Sequence, residues 1–121
     1  MTKEELLERT KKFALRVMNL TNVLPEKNRG RLVGNQLFRS GTSVAANYRA
    51  ACRARSTAEF ISKLCIVEEE VDESAFWMEM IIESGMIKKD LVEPLLKEAR
   101  ELLAIFIASK KTARKNNEDR K

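Results

Sequence analysis

The sequence predicts an all-α protein, folded as an up-down-up-down antiparallel four-helix bundle. Three observations predict it. Apolar residues recur at three- and four-residue spacing through four long stretches. Only four Gly and two Pro stand in 121 residues, too few for the many turns of an all-β chain. The stretches are joined by three short connections, which set consecutive helices antiparallel.

The size suits one domain. Apolar residues make up 44% and charged residues 34% of the chain, a globular composition with a heavily charged surface. No apolar run approaches the roughly 20 residues needed to cross a bilayer. Met1-Thr2-Lys3-Glu4-Glu5 has neither the basic start nor the apolar core of a signal peptide. The expected location is cytoplasmic, with no membrane partner. Cys52 and Cys65 sit among apolar helical positions and read as small buried thiols.

The first helix is expected over residues 3–23. Thr2 is its N-cap and Glu5 completes a capping box. Leu6, Phe13, Val17, Leu20 and Leu24 form its apolar stripe, and Pro25 stops it. The second is expected over 29–55, with Val33, Leu37, Val44, Tyr48 and Cys52 inward. Its centre, Ser40-Gly41-Thr42-Ser43, implies a kink or the close approach of a neighbouring helix, since Gly costs a helix interior about 1 kcal/mol against Ala.

The third helix is expected over 57–84. Ser56 and Glu59 form a second capping box, Gly85 a C-terminal cap, and Phe60, Leu64, Val67, Val71, Ala75, Met78 and Ile82 the stripe. The fourth is expected over 91–108, with Asp90 ahead of it, Glu93 at the box position and Pro94 in the first turn. Leu95, Leu96, Ala99, Leu102, Leu103 and Phe106 face inward. Residues 1–108 then form the bundle. Residues 109–121 lack apolar periodicity and read as a basic polar tail, largely disordered.

The chemistry is notable for what it omits. The chain has no His, the commonest general base and metal ligand. The Glu-x-x-His pairs of carboxylate di-metal bundles cannot be built. Gly30, Gly34 and Gly41 are too scattered for a phosphate loop. Glu68, Asp72, Glu79 and Glu83 can share one helix face, which reads as a solvated face or one that meets basic residues. No catalytic residue, metal site or cofactor is expected, and the chain does not read as an enzyme.

Charge is unevenly placed. Residues 1–55 carry twelve basic and four acidic side chains, whereas residues 56–108 carry five and twelve. Such halves attract within one bundle, and a basic face can also dock on the acidic face of another copy. Phe76-Trp77-Met78 and Met80-Ile81-Ile82 fan too widely around a helix for one core stripe. Phe76, Trp77, Met80 and Ile81 are the expected oligomer contacts. Arg16, Arg31, Arg39, Arg49, Arg53, Arg55 and Lys63 are the expected contacts to the phosphates of RNA or DNA. Stacking aromatics are scarce among them, which argues against a single-strand platform.

The run Gln36-Leu37-Phe38-Arg39-Ser40-Gly41-Thr42-Ser43-Val44-Ala45-Ala46-Asn47-Tyr48-Arg49-Ala50 resembles the signature of the bacterial four-helix proteins encoded in intervening sequences of 23S rRNA genes. Phe60-Ile61-Ser62-Lys63-Leu64, Glu73-Ser74-Ala75-Phe76-Trp77-Met78 and Leu96-Lys97-Glu98-Ala99-Arg100-Glu101-Leu102 fit the same pattern. The resemblance spans about residues 5–110. It extends to the accessory protein of diversity-generating retroelements, which implies a homopentamer with a basic nucleic-acid surface and a partner protein such as a reverse transcriptase. Where relatives often carry an acidic residue and Gly after the Asn, this chain has Arg49 and Ala50, implying a more basic and longer second helix. Two functional readings follow. One is a non-enzymatic oligomeric binder of nucleic acid. The other is a protein-interaction scaffold or accessory subunit whose charged faces serve self-assembly and partner docking.

Overall fold

A computed structural model describes residues 1–119. Among the described residues the chain forms four α-helices and no strand: α1 Lys3–Asn22, α2 Asn28–Ala51, α3 Thr57–Glu83 and α4 Glu93–Asp119, with a 3-10 turn at Lys89–Leu91 before α4. Neighbours in sequence pack side by side, and α1 meets α4 more sparsely to close the bundle.

The helix starts follow their capping residues. Thr2 Oγ1 accepts from the Glu5 backbone N–H at 3.1 Å. Ser56 Oγ accepts from the Glu59 backbone N–H at 3.1 Å, and Glu59 reaches back to accept from the Arg55 N–H. Gly85, at φ +70, ends α3 in the left-handed conformation that glycine adopts without a steric penalty.

The core is one apolar cluster drawn from all four helices, with Phe13, Leu37, Leu64, Met78 and Phe106 fully enclosed. At the centre of α2, Ser40-Gly41 lies in an uninterrupted helix, so of the two expectations the close approach holds. A Cβ on Gly41 would sit 2.7 Å from both methyls of Val17. On the other side, Ser40 Oγ and Ser74 Oγ lie 3.0 Å apart. Each is also within reach of a carbonyl of its own helix, Leu37 at 3.3 Å and Glu70 at 2.8 Å. The small residues thus let α2 pack closely against both α1 and α3.

Three expectations need correction. Helix two ends at Ala51, not at residue 55. Arg53 and Arg55 stand in the turn, because the next helix starts from the Ser56 cap and the chain must reverse before it. The tail is not disordered as far as Asp119, since α4 continues through it. Ala113 is buried and Lys110 pairs with Glu68 on α3. Residues 120 and 121 of that tail lie outside the described residues. Finally, Phe60 and Ile82 are only half-buried, whereas Ile81 is fully enclosed. The reason is that α3 packs on both α2 and α4 and buries a broader face than one stripe.

Candidate nucleic-acid interface

The cations divide into two sets. One set bridges helices. The Arg9 guanidinium of α1 donates to Glu98 and Glu101 of α4. Arg39 of α2 donates to Glu70 and Glu73 of α3. From α4, Arg100 reaches Glu79 and Lys110 reaches Glu68. Two of the four carboxylates expected to share a face of α3, Glu68 and Glu79, therefore meet basic residues.

These pairs shift the groups they join. The Arg9 hydrogen bonds hold the Glu98 carboxyl below its ordinary value. Burial pushes the Glu70 carboxyl upward despite Arg39. Arg39 itself is raised, chiefly by its hydrogen bond to Glu73. Arg39, an expected phosphate contact, is half exposed and already shared between two carboxylates, with which a phosphate would compete.

The second set makes no ion pair among the described residues. Most other cations belong to it, including six of the expected phosphate contacts: Arg16, Arg31, Arg49, Arg53, Arg55 and Lys63. The fold does not bring all six together. Arg49, Arg53 and Arg55 are exposed at the end of α2 and in the following turn, and Lys63 lies in the second turn of α3. These four share one end of the bundle. Arg16 borders a recess with Val23, Leu91 and Pro94. Arg31 lies by the α1–α2 turn with Asn22, Asn35 and Phe38. Both belong to the opposite half.

The extended α4 adds to the first group. Glu79–Arg100, Glu68–Lys110 and Cys65–Arg114 fall on one antiparallel register of α3 and α4. That register returns the end of α4 to the start of α3. Exposed Lys111, Arg114 and Lys115 are therefore held at the same end as Arg49, Arg53 and Arg55. They are not among the residues expected from sequence, because that segment reads as a tail. The available signal is the spacing Phe106, Lys110, Ala113, Asn117, a helical stripe carried largely by polar residues.

Arg49 and Arg53 also border a groove of about 790 Å³ between α1 and α2, floored in part by Leu7, Ala45 and Cys52. Lys3 and Lys11 stand on its rim together with Glu4 and Glu8. Tyr48 is buried beneath, its ring 5.4 Å from that of Phe106, and burial pushes its phenol upward. It offers no face for a base to stack on. Cys52 and Cys65 are free thiols, each half-buried. No cluster of metal-ligating side chains occurs among the described residues, and no helix among them is long and apolar enough to cross a membrane.

The 23S rRNA-intervening sequence protein family matches residues 2–108. The chain belongs to this family. A crystal structure of a protein with unknown function from the S23 ribosomal protein family, from Bacteroides thetaiotaomicron VPI-5482, is 31% identical. The match covers 92% of this chain and 99% of that one, with a TM-score of 0.82. No curated protein matches the chain. In this 23S rRNA-intervening sequence protein, the basic end of α4 lies beyond the matched residues.

The apolar fan of the family member is partly exposed. Phe76 and Met80 keep 48% and 40% of their surface in solvent. Trp77 is half-buried, with Phe76 edge-on to its ring at 4.9 Å. Ile81 is wholly inside the core, which removes it from the expected oligomer contacts.

Proposed function

We propose that this 23S rRNA-intervening sequence protein is a non-enzymatic, oligomeric, cytoplasmic protein that binds the phosphate backbone of RNA or DNA at its basic end. One observation carries the reading. The arginines that bridge helices are matched by carboxylates, while Arg49, Arg53 and Arg55 are exposed without one among the described residues. An unpaired cation row costs a fold self-repulsion and returns binding energy when phosphates replace its counterions. No exposed aromatic stands in the row, which favours backbone contact over base stacking.

The test is retention of a structured RNA and of duplex DNA across a salt series. Binding should fall linearly on a log–log plot. Replacing Arg49 and Arg53 with Ala should weaken it for every sequence and lower the slope by roughly one per lost contact. Absence of retention at low salt would refute the reading. The resemblance to the retroelement accessory protein supports a homopentamer, and a partner such as a reverse transcriptase.

A second reading, a scaffold for protein docking, draws on exposed Phe76 and Met80 on a strongly acidic helix. Under it, the variants Arg49→Ala and Arg53→Ala leave all binding partners in place.

A further inference from the structure

We propose that a recess at the basic end, where the start of α1, the start of α3 and the last turns of α4 meet, seats an unpaired nucleotide of the bound RNA or DNA. This seat rests on the phosphate-binding reading above and deepens it. The preferred substrate carries a bulged, looped or terminal base, not an unbroken duplex.

The recess measures about 540 Å³, within the roughly 300–1,000 Å³ typical of small-molecule sites. Leu6 and Ile105 give it apolar lining, and Phe60 an aromatic one. Phe60 is half-buried, so part of its side chain stays open to a ligand. Ser109, Thr112 and Asn116 add polar groups from α4. Their three- and four-residue spacing puts them on one face.

These polar groups are free. Elsewhere in the bundle Thr10, Thr42 and Ser74 donate to the carbonyl one turn back. In the last turns of α4 the side-chain hydrogen bonds come from Lys110 and Arg114. Ser109, Thr112 and Asn116 make none among the described residues. An unstacked base needs apolar or aromatic contact for its faces, with donors and acceptors for its edge. The recess offers both. The Asn116 carboxamide presents a donor beside an acceptor, the pattern that matches the edge of adenine.

Charge selects a nucleotide over an apolar side chain of a partner protein. Lys3, Lys63, Lys111 and Lys115 each stand three residues from a lining residue, Leu6, Phe60, Ala108 and Thr112 in turn, and so lie on its side of the helix. None of the four makes an ion pair among the described residues. Of the acids at similar spacing, Glu101 accepts from Arg9 and Glu5 from Thr2. Glu4 borders the α1–α2 groove instead. That leaves Asp119 against four lysines. Arg49, Arg53 and Arg55 take the backbone at the same end, and a base turned out of its stack enters the recess beside them.

The test compares two labelled hairpins by fluorescence anisotropy at low salt. One has an unbroken stem, the other the same stem with a single bulged adenosine, and each is made in RNA and in DNA. Wild type should bind the bulged hairpin about tenfold more tightly than the paired one. A preference in RNA, in DNA or in both supports the seat and identifies the sugar it accepts. Ala108→Trp fills the recess from an exposed position. Thr112→Val with Asn116→Ala removes its polar groups. Thermal melts followed by circular dichroism establish which variants are folded, and either one suffices. Each should bind the paired hairpin as wild type does and lose the preference for the bulge. A wild type that binds neither hairpin overturns the phosphate-binding reading itself. A wild type that binds both equally, as when the recess serves a partner protein, overturns the seat alone. So does a preference that persists in the folded variants.

Discussion

Arg9 donates to both carboxylate oxygens of Glu98, Nε to Oε2 and Nη2 to Oε1, each at 2.7 Å. This paired contact ties the first helix to the last across a sparse seam, and both side chains are largely shielded from water. The hydrogen bonds from Arg9 lower the folded pKa of Glu98. A carboxyl lowered on folding contributes stability above its unfolded value, about 4.3, and loses it as pH falls through the lower folded value. Glu98→Gln should cost about 1 kcal/mol at neutral pH. Urea melts across the acid range test this: the difference from wild type should shrink toward pH 2–3, and a constant difference would contradict it.

Gly41 offers a prediction of sign. Gly→Ala in a helix interior ordinarily gains about 1 kcal/mol. Here the added methyl would press on Val17, which is fully enclosed and stiff about its Cα–Cβ bond. Overpacking of this kind costs about 1–3 kcal/mol and outweighs the gain. Gly41→Ala should therefore lower the melting temperature, and in a Val17→Ala background the same change should raise it. A stabilising effect in the wild-type background would show that α1 and α2 are further apart than described.

The start of α2 departs from its neighbours. Lys27 occupies the N-cap position, no side chain accepts from the first turn, and no acid lies in that turn. Cations there oppose the helix dipole. Lys27→Asp should add a cap and stabilise the fold by about 1 kcal/mol. Chemical denaturation measures it, and an unchanged midpoint would count against the described start of α2.

The end of α4 depends on a shielded pair. Lys110 and Glu68 are 19% and 13% exposed, and the second Glu68 oxygen has no hydrogen-bond partner. Lys110→Met strands that carboxylate and should cost roughly 2 kcal/mol. Adding Glu68→Leu should recover most of the loss. Amide hydrogen exchange should also find residues 110–117 protected in wild type, where a disordered tail would exchange at the rate of a free peptide.

The legible parts of the fold were those written in local chemistry. Thr2 with Glu5 and Ser56 with Glu59 mark two helix starts within a residue, because the capping bond joins neighbours in the chain. Gly41 signals a close approach because no other residue fits there. The less legible parts depend on which helices meet. Nothing in Ala50-Ala51-Cys52-Arg53-Ala54-Arg55 forbids a helix, so only the position of α3 ends α2 at Ala51. The last turns of α4 meet mainly α3, and a stripe of Lys110, Ala113 and Asn117 is enough for one neighbour, although its polarity suggests a tail. The same limit applied to the candidate site. Arg49, Arg53 and Arg55 are readable as a basic run, but the pairing of Arg39 with Glu70 and Glu73 joins residues more than thirty apart. The basic end of α4 becomes visible only with its antiparallel register.

The central claim is that an assembly of this chain binds nucleic-acid phosphates through its basic end. The most direct measurement is the native mass of one sample, with and without a structured RNA, at low salt and again at high salt. The account predicts a multiple of 13.9 kDa that gains the mass of RNA at low salt and releases it at high salt. A 13.9 kDa species left unchanged by RNA at every salt concentration would contradict it.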